Sequence, residues 1–266
     1  MAASSTASLT VSNATSVASS VVVNSGSAIT LTAGTTTNVN VAATVTDNNS
    51  CKDLVTVDVA LYKQGATCTQ AGHADNDVCY WYTVTSPSTD PSCADNDDLT
   101  FALSYNFSVQ YYADPGSWLA TVKPYDESAG TPDSSSTVTL NDLQSIGTGG
   151  TVALGTVAPN AASIGDHTET ITNAGNVAVN FNASSAALTC ATRGSIAANY
   201  IEYALATFTY GDGTDFSGTP TAVEADLAAP EDGTVPVTDL IYLQAFAPTG
   251  TEGLCSGNQT YSAIAD

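Results

Sequence analysis

Apolar and polar residues alternate along several stretches of this chain with a period of two, and that pattern suits one kind of backbone. Val55, Val57, Val59 and Leu61 share one parity, as do Phe101, Leu103, Tyr105, Phe107, Val109 and Tyr111. Successive side chains of a strand point to opposite faces, so such runs predict half-buried β-strands, whereas a helix would scatter them around its axis. Between the runs stand Asn24–Ser25–Gly26, Asp114–Pro115–Gly116 and Asn173–Ala174–Gly175–Asn176, residues that supply turn conformations. Glu169–Thr170–Ile171–Thr172 and Val177–Ala178–Val179–Asn180–Phe181 flank the last of these turns and predict an antiparallel hairpin. Val152, Leu154 and Val157 predict a short strand upstream, and Tyr200–Ile201–Glu202–Tyr203–Ala204–Leu205 with Ala206–Thr207–Phe208–Thr209–Tyr210 one more downstream. In the Ala-rich residues 196–206 a helix competes with the strand reading.

A chain of 266 residues is long enough for two domains, each burying its own core. The expected plan is all-β, two tandem antiparallel β-sandwiches with an N-terminal arm. Residues 1–20 form the arm or a first strand, residues 21–145 a first sandwich with a Cys- and Asp-rich insertion, and residues 146–266 a second sandwich. Trp118 is expected to plug the first core. Gly147–Thr148–Gly149–Gly150 reads as a joint between the two or as the first turn of the second.

Thr170–Ile171–Thr172–Asn173, followed by Gly175 and Asn176, resembles the opening of immunoglobulin-like repeats found in microbial secreted and cell-surface proteins. Leu31 to Asp47 is similar to the early strands of such repeats, and Ala247–Thr251 with Gln259–Ala263 to their closing hairpin. The resemblance implies immunoglobulin-like sandwiches of structural or adhesive use. It brings no catalytic residues with it.

Four basic residues, Lys52, Lys63, Lys123 and Arg193, stand against 26 acidic ones, a formal charge of -22. That field repels phosphate backbones and anionic bilayers and attracts cations. No stretch of 18 apolar residues is present, so direct insertion into a membrane as a helix is not expected. Six cysteines, an even number, point to an extracellular or cell-surface chain. Four of them fall in the first half, which allows three pairings. Short-range closure favours Cys68–Cys79 and leaves Cys51–Cys93, while Cys190–Cys255 is the pair available in the second half.

An enzyme is not expected. His73 and His167 are the only histidines, the latter reading as a solvated loop residue beside Asp166, and no nucleophile elbow, phosphate loop or C-x-x-C pair occurs. Calcium is the cofactor with a physical case, through hard oxygen ligands at Asp75, Asp77, Asp95, Asp97, Asp98, Asp212 and Asp215. Solvated loops that cap strand ends are the competing reading. Ala7, Leu9 and Val11 alternate with Ser8, Thr10 and Ser12 in a segment almost without charge, a pattern suited to adding a strand to a neighbouring copy's sheet. The leading expectation is therefore a self-assembling structural subunit of a cell-surface layer, filament or stalk. The alternative is an adhesin that binds glycans or other surface proteins, with Tyr80–Trp81–Tyr82 or Tyr111–Tyr112 stacking on sugars.

Overall fold

The computed structural model describes residues 5–70, 77–126 and 134–266. Among them the secondary structure is strands and a few single-turn 3-10 segments, with no α-helix. The chain divides into two compact units. The first comprises Met1–Ile29, Asn38–Val109 and Gly116–Leu140, the second Thr30–Thr37, Gln110–Pro115 and Asn141–Asp266. Two loops from the first half of the sequence therefore belong to the second unit.

The first unit contains β1 (Val17–Val23), β2 (Thr37–Thr46), β3 (Leu54–Lys63), β4 (Cys79–Val84), β5 (Thr100–Val109), β6 (Gly116–Asp126) and β7 (Ser134–Leu140). They form a sheet in the order β1-β2-β5 and another in the order β4-β3-β6-β7. One parity of each central strand faces inward: Val39, Val41, Ala43 and Val45 from β2, Val57, Val59 and Leu61 from β3, Trp118, Ala120 and Val122 from β6. Val55 breaks its run and lies half out of water, because the register between β3 and β6 slips between Leu54 and Thr56 and turns its side chain to the other face. Trp118 is 0% exposed. Tyr80 of β4 packs on Trp118 at 5.9 Å and on Phe107 of β5 at 6.3 Å, which joins the two sheets through aromatic rings.

The second unit contains β8 (Ile146–Thr148), β9 (Ala161–Ala162), β10 (His167–Asn173), β11 (Val179–Ser185), β12 (Leu188–Cys190), β13 (Ser195–Ile196) and β14 (Ile201–Ala204). It continues with β15 (Thr214–Asp215), β16 (Thr221–Leu227), β17 (Thr238–Ala247), β18 (Cys255–Ser256) and β19 (Gln259–Ala265). One sheet runs β15-β14-β17-β10-β8, with β9 joined to β17, and two smaller ones run β16-β11-β19 and β13-β12-β18. Ile171, Phe181, Ile201, Phe216, Ile241 and Leu243 are buried together between them.

Several sequence expectations are corrected here. Residues 167–181 are not a hairpin: β10 pairs with β17 and β8, whereas β11 pairs with β16 and β19. The chain crosses from one sheet to another at Asn173–Asn176, and the crossing is held by side chains that turn chemistry alone does not reveal. Asn173, 0% exposed, donates from Nδ2 to the carbonyls of Val177, Leu227 and Ala228 and accepts the Gly175 N–H. Asn176 donates to the carbonyls of Ala113 and Asn141 and accepts from Leu143 N at 2.6 Å. Residues 151–157 and 206–210 form no strand, and residues 196–206 are strand and a 3-10 turn rather than helix. Gly147 and Thr148 are not a joint but part of β8, paired with β10.

At Gly175 an added Cβ would stand 1.9 Å from the Leu143 carbonyl oxygen, and main chain cannot yield as a flexible side chain does. Gly175→Ala is therefore expected to lower the urea midpoint sharply. Asn173→Ala, which strands buried carbonyls, is expected to cost about 2–4 kcal/mol. Urea unfolding followed by circular dichroism checks both; midpoints equal to that of the parent chain would contradict the crossing described.

Candidate functional site

The outer face of the β4-β3-β6 sheet, opposite the core, carries the other parity of the same strands. Register places Asp58 between Thr83 and Lys123, and Ala60 between Trp81 and Thr121. Ala60 is too short to fill the space between its larger neighbours. The result is a hollow of about 160 Å³ lined by Asp58, Ala60, Tyr62, Cys68, Trp81, Thr121, Lys123 and Tyr125. The Trp81 indole N–H donates to Thr83 Oγ1 at 3.2 Å, and that hydroxyl donates to Asp58 Oδ1 at 2.6 Å. The chain of bonds fixes the indole and leaves a carboxylate beside it. Lys123 Nζ lies 5.4 Å from the centre of the Tyr125 ring. Three rings, a carboxylate, hydroxyls and an ammonium around a shallow floor offer both stacking surfaces and hydrogen-bonding groups.

A second hollow, about 330 Å³, lies in the second unit and is lined by Thr148, Gly150, Val152, Glu169, Asn258, Gln259, Thr260 and Tyr261. Glu169 is 4% exposed and accepts the Gly150 N–H at 3.1 Å. Burial, and then the nearby Glu169 carboxylate, hold the Tyr261 phenol well above the usual tyrosine range. Its ring meets Phe181 edge-on at 5.9 Å.

No protein-family model and no curated protein sequence matches the chain. Among solved structures it is similar to Escherichia coli alpha-2-macroglobulin in its native conformation, at 12% identity over 92% of this chain and with a TM-score of 0.32. The chain spans 16% of that protein's length. It is also similar to the C-terminal domain of the Streptococcus agalactiae antigen I/II polypeptide BspA, at 11% identity over 90% of this chain and 95% of that one, TM-score 0.25. For the C-terminal domain of the Streptococcus pyogenes antigen I/II-family protein AspA the figures are 10%, 90%, 94% and 0.29. Likenesses of this size carry no argument about activity.

The sequence candidates fall in different places. The cysteines form Cys51–Cys93, Cys68–Cys79 and Cys190–Cys255, the last between directly paired positions of β12 and β18. Such bonds suit an oxidising compartment. Asp75 and His73 lie outside the described residues. Asp77, Asp95, Asp97, Asp98, Asp212 and Asp215 remain on their separate loops and strand ends, and among the described residues no three His, Cys, Asp or Glu side chains gather as a metal cage. Local turn bonding explains part of this: Asp98 Oδ2 accepts the Asp95 N–H at 2.8 Å, its carbonyl accepts from Cys51 N, and Asp215 pairs with Glu202 in a ladder. His167 is no solvated loop residue; it opens β10 opposite Leu243, with Nε2 buried. Tyr80 is buried in the core, Tyr82 stacks on Tyr105 at 3.9 Å, and Tyr111 meets Tyr112 edge-on at 5.2 Å. Of the aromatic candidates, Trp81 alone lines the hollow on the outer face. Its companions Tyr62 and Tyr125 were visible in the sequence only as the polar-side parity of β3 and β6.

Ala7, Leu9 and Val11 lie outside any strand, and Leu9 and Val11 are 88% and 75% exposed. The strand of this region starts later, at Val17, and runs past the boundary expected at residue 20. The segment is tied at its end, where Ala14 N donates to Asn49 Oδ1 and Asn49 Nδ2 donates to Ser12 O.

Because the Tyr261 pKa is raised in the folded state, its contribution to stability is complete below the unfolded value of about 10 and is lost as pH rises beyond it. Ultraviolet titration is expected to show exposed tyrosines ionising first and Tyr261 only with unfolding. Burial also raises Tyr105, Tyr203 and Tyr210, so in Tyr261→Phe the late step should shrink by one tyrosine; a step of unchanged amplitude would contradict the assignment.

Proposed function

We propose that this chain is an extracellular structural subunit, part of a surface layer, filament or stalk, that joins copies of itself through residues 5–13. The observation that carries the reading is that Leu9 and Val11 stand in water, outside every strand, in a segment whose parity separates Ala7, Leu9 and Val11 from Ser8, Thr10 and Ser12. Exposed alternating sequence without charge or proline is suited to pairing with a sheet edge of another copy. A molecule of charge -22 otherwise repels its copies, so contact through a nearly uncharged segment has the least repulsion to overcome.

A second reading, glycan binding on the outer sheet face, is favoured by one observation: Tyr62, Trp81 and Tyr125 surround a hollow that also presents the Asp58 carboxylate. Aromatic faces stack on the apolar faces of sugar rings while carboxylates and hydroxyls bond to sugar hydroxyls.

Sedimentation velocity over a range of concentrations distinguishes the two. The parent chain is expected to form species larger than a monomer, and Leu9→Asp/Val11→Asp, with unchanged circular dichroism, to remain monomeric. A parent chain that is monomeric at high concentration, or a variant that assembles equally, refutes the assembly reading. On a glycan array, retention that Trp81→Ala abolishes while assembly is intact supports the second reading, and its persistence in Trp81→Ala excludes this face.

A further inference from the structure

In the first unit the parity that builds the core continues past the point where the residues stop being apolar. Along β2 the inward side chains are Val39, Val41, Ala43 and Val45, and the next inward position, just beyond the strand, is Asp47. Along β6 they are Trp118, Ala120, Val122 and Pro124, and the last is Asp126. On β1 the inward Ala18 is preceded by Ser16. One step beyond the Val17–Thr46 pair, Ser16 stands opposite Asp47. A hydroxyl and two carboxylates thus end among the inward-facing positions, 0%, 0% and 7% exposed for Ser16, Asp47 and Asp126.

Part of this cluster is satisfied internally. Ser16 N donates to Asp126 Oδ2 at 2.9 Å, and Asn49 N donates to Asp47 Oδ1 at 2.8 Å. Two atoms are not: among the described residues, Asp47 Oδ2 and Ser16 Oγ are buried without a hydrogen-bond partner. A buried carboxylate oxygen left unpaired is costly, so native structures rarely tolerate one without an ion, a water or a proton. The charged groups that act on Asp47 make matters worse, since both Asp126 and Asp53 are acidic. Burial first, and then these two neighbours, raise the Asp47 carboxyl above its ordinary value, against the opposing effect of the Asn49 and Ser50 N–H groups.

We propose that Ser16, Asp47 and Asp126 form a calcium site at this end of the first unit. Asp47 Oδ2 and Ser16 Oγ are the unsatisfied hard-oxygen donors, and the Asp126 carboxylate reaches the same place through its bond to Ser16 N. Calcium accepts about six to eight oxygen ligands in flexible geometry, so water or main-chain carbonyls complete the shell, whereas magnesium demands a tighter octahedron. The donor set holds two carboxylates and a hydroxyl rather than three acidic side chains, which sets it apart from the exposed aspartate clusters on the loops. It is independent of the assembly reading, since it requires only one chain.

Thermal unfolding of the full chain tests this in chelator, in calcium chloride, in magnesium chloride and in sodium chloride of equal ionic strength, together with calorimetric titration of calcium. Calcium is expected to raise the melting temperature beyond sodium and magnesium. Asp47→Asn should raise the melting temperature in chelator, because a repelled charge is gone, and should lose the calcium increment. Ser16→Ala should weaken calcium binding by about tenfold or more. If Asp47→Asn does not fold, Asp126→Asn and Ser16→Ala decide the question by the same loss of calcium response. A parent chain that responds to calcium no more than to matched sodium overturns the proposal. Full calcium response in the variants also overturns it, by placing the ion elsewhere.

Discussion

Wherever this chain runs through the dry layer between sheets, its polar groups must find partners, and the structure depends on how that requirement is met. A buried N–H or carbonyl without a partner costs about 1–3 kcal/mol, a large part of what keeps a domain folded. At residues 173–176 the chain passes from one sheet of the second unit to another, and Asn173 and Asn176 use both ends of their carboxamides to satisfy the main chain around them. Glu202 does the same for the turn at Gly211 and Gly213, accepting both N–H groups on one carboxylate oxygen. Gln244 holds Asp166, Phe208 and Tyr210 together from inside the largest sheet. These buried polar side chains decide where strands end and where the chain may turn.

The same requirement bears on one end of the first unit. Its interior is aliphatic and aromatic through most of its depth, with Trp118 and Tyr80 joining the sheets. At one end the inward positions pass to serine and aspartate, and among the described residues Ser16 Oγ and Asp47 Oδ2 have no hydrogen-bond partner. A chain that carries 26 acidic residues against four basic ones has few ammonium or guanidinium groups to offer a buried carboxylate. Positive charge from solution is the remaining means of neutralising it without protonation.

The outward parity has a different consequence. On the β4-β3-β6 face the small Ala60 lies among Trp81, Tyr62 and Thr121, so the surface is concave there, and a hydrogen-bond chain from Trp81 through Thr83 to Asp58 fixes its indole. Ordered rings are better platforms for stacking than mobile ones, because less side-chain entropy is lost when a ligand settles on them. By contrast, Leu9 and Val11 lie in a segment that pairs with no strand among the described residues. The two surfaces therefore differ in character, one an ordered set of rings around a hollow and the other exposed extended chain.

By itself the amino-acid sequence determined that this protein is built of strands, and it placed most of them, because period-two alternation is a local property that survives any tertiary arrangement. It also showed which aromatic would fill the first core, and the even number of cysteines in each half suggested the bonds that the structure has. Parity even held the mark of the buried carboxylates, since Asp47 and Asp126 continue inward-facing runs, but nothing local says that a run's last inward residue is still buried. Which strands pair was decided only by tertiary structure. The asparagine–glycine turn at 173–176 reads equally well as a hairpin or as a crossing between sheets, and the difference lies in carbonyls contributed by Ala113, Asn141, Leu227 and Ala228, residues distant in sequence. The hollow around Trp81 was settled in the same way, by a register that brings Asp58, Ala60 and Lys123 beside residues far along the chain, because a sheet face is assembled from strands whose order no single segment encodes.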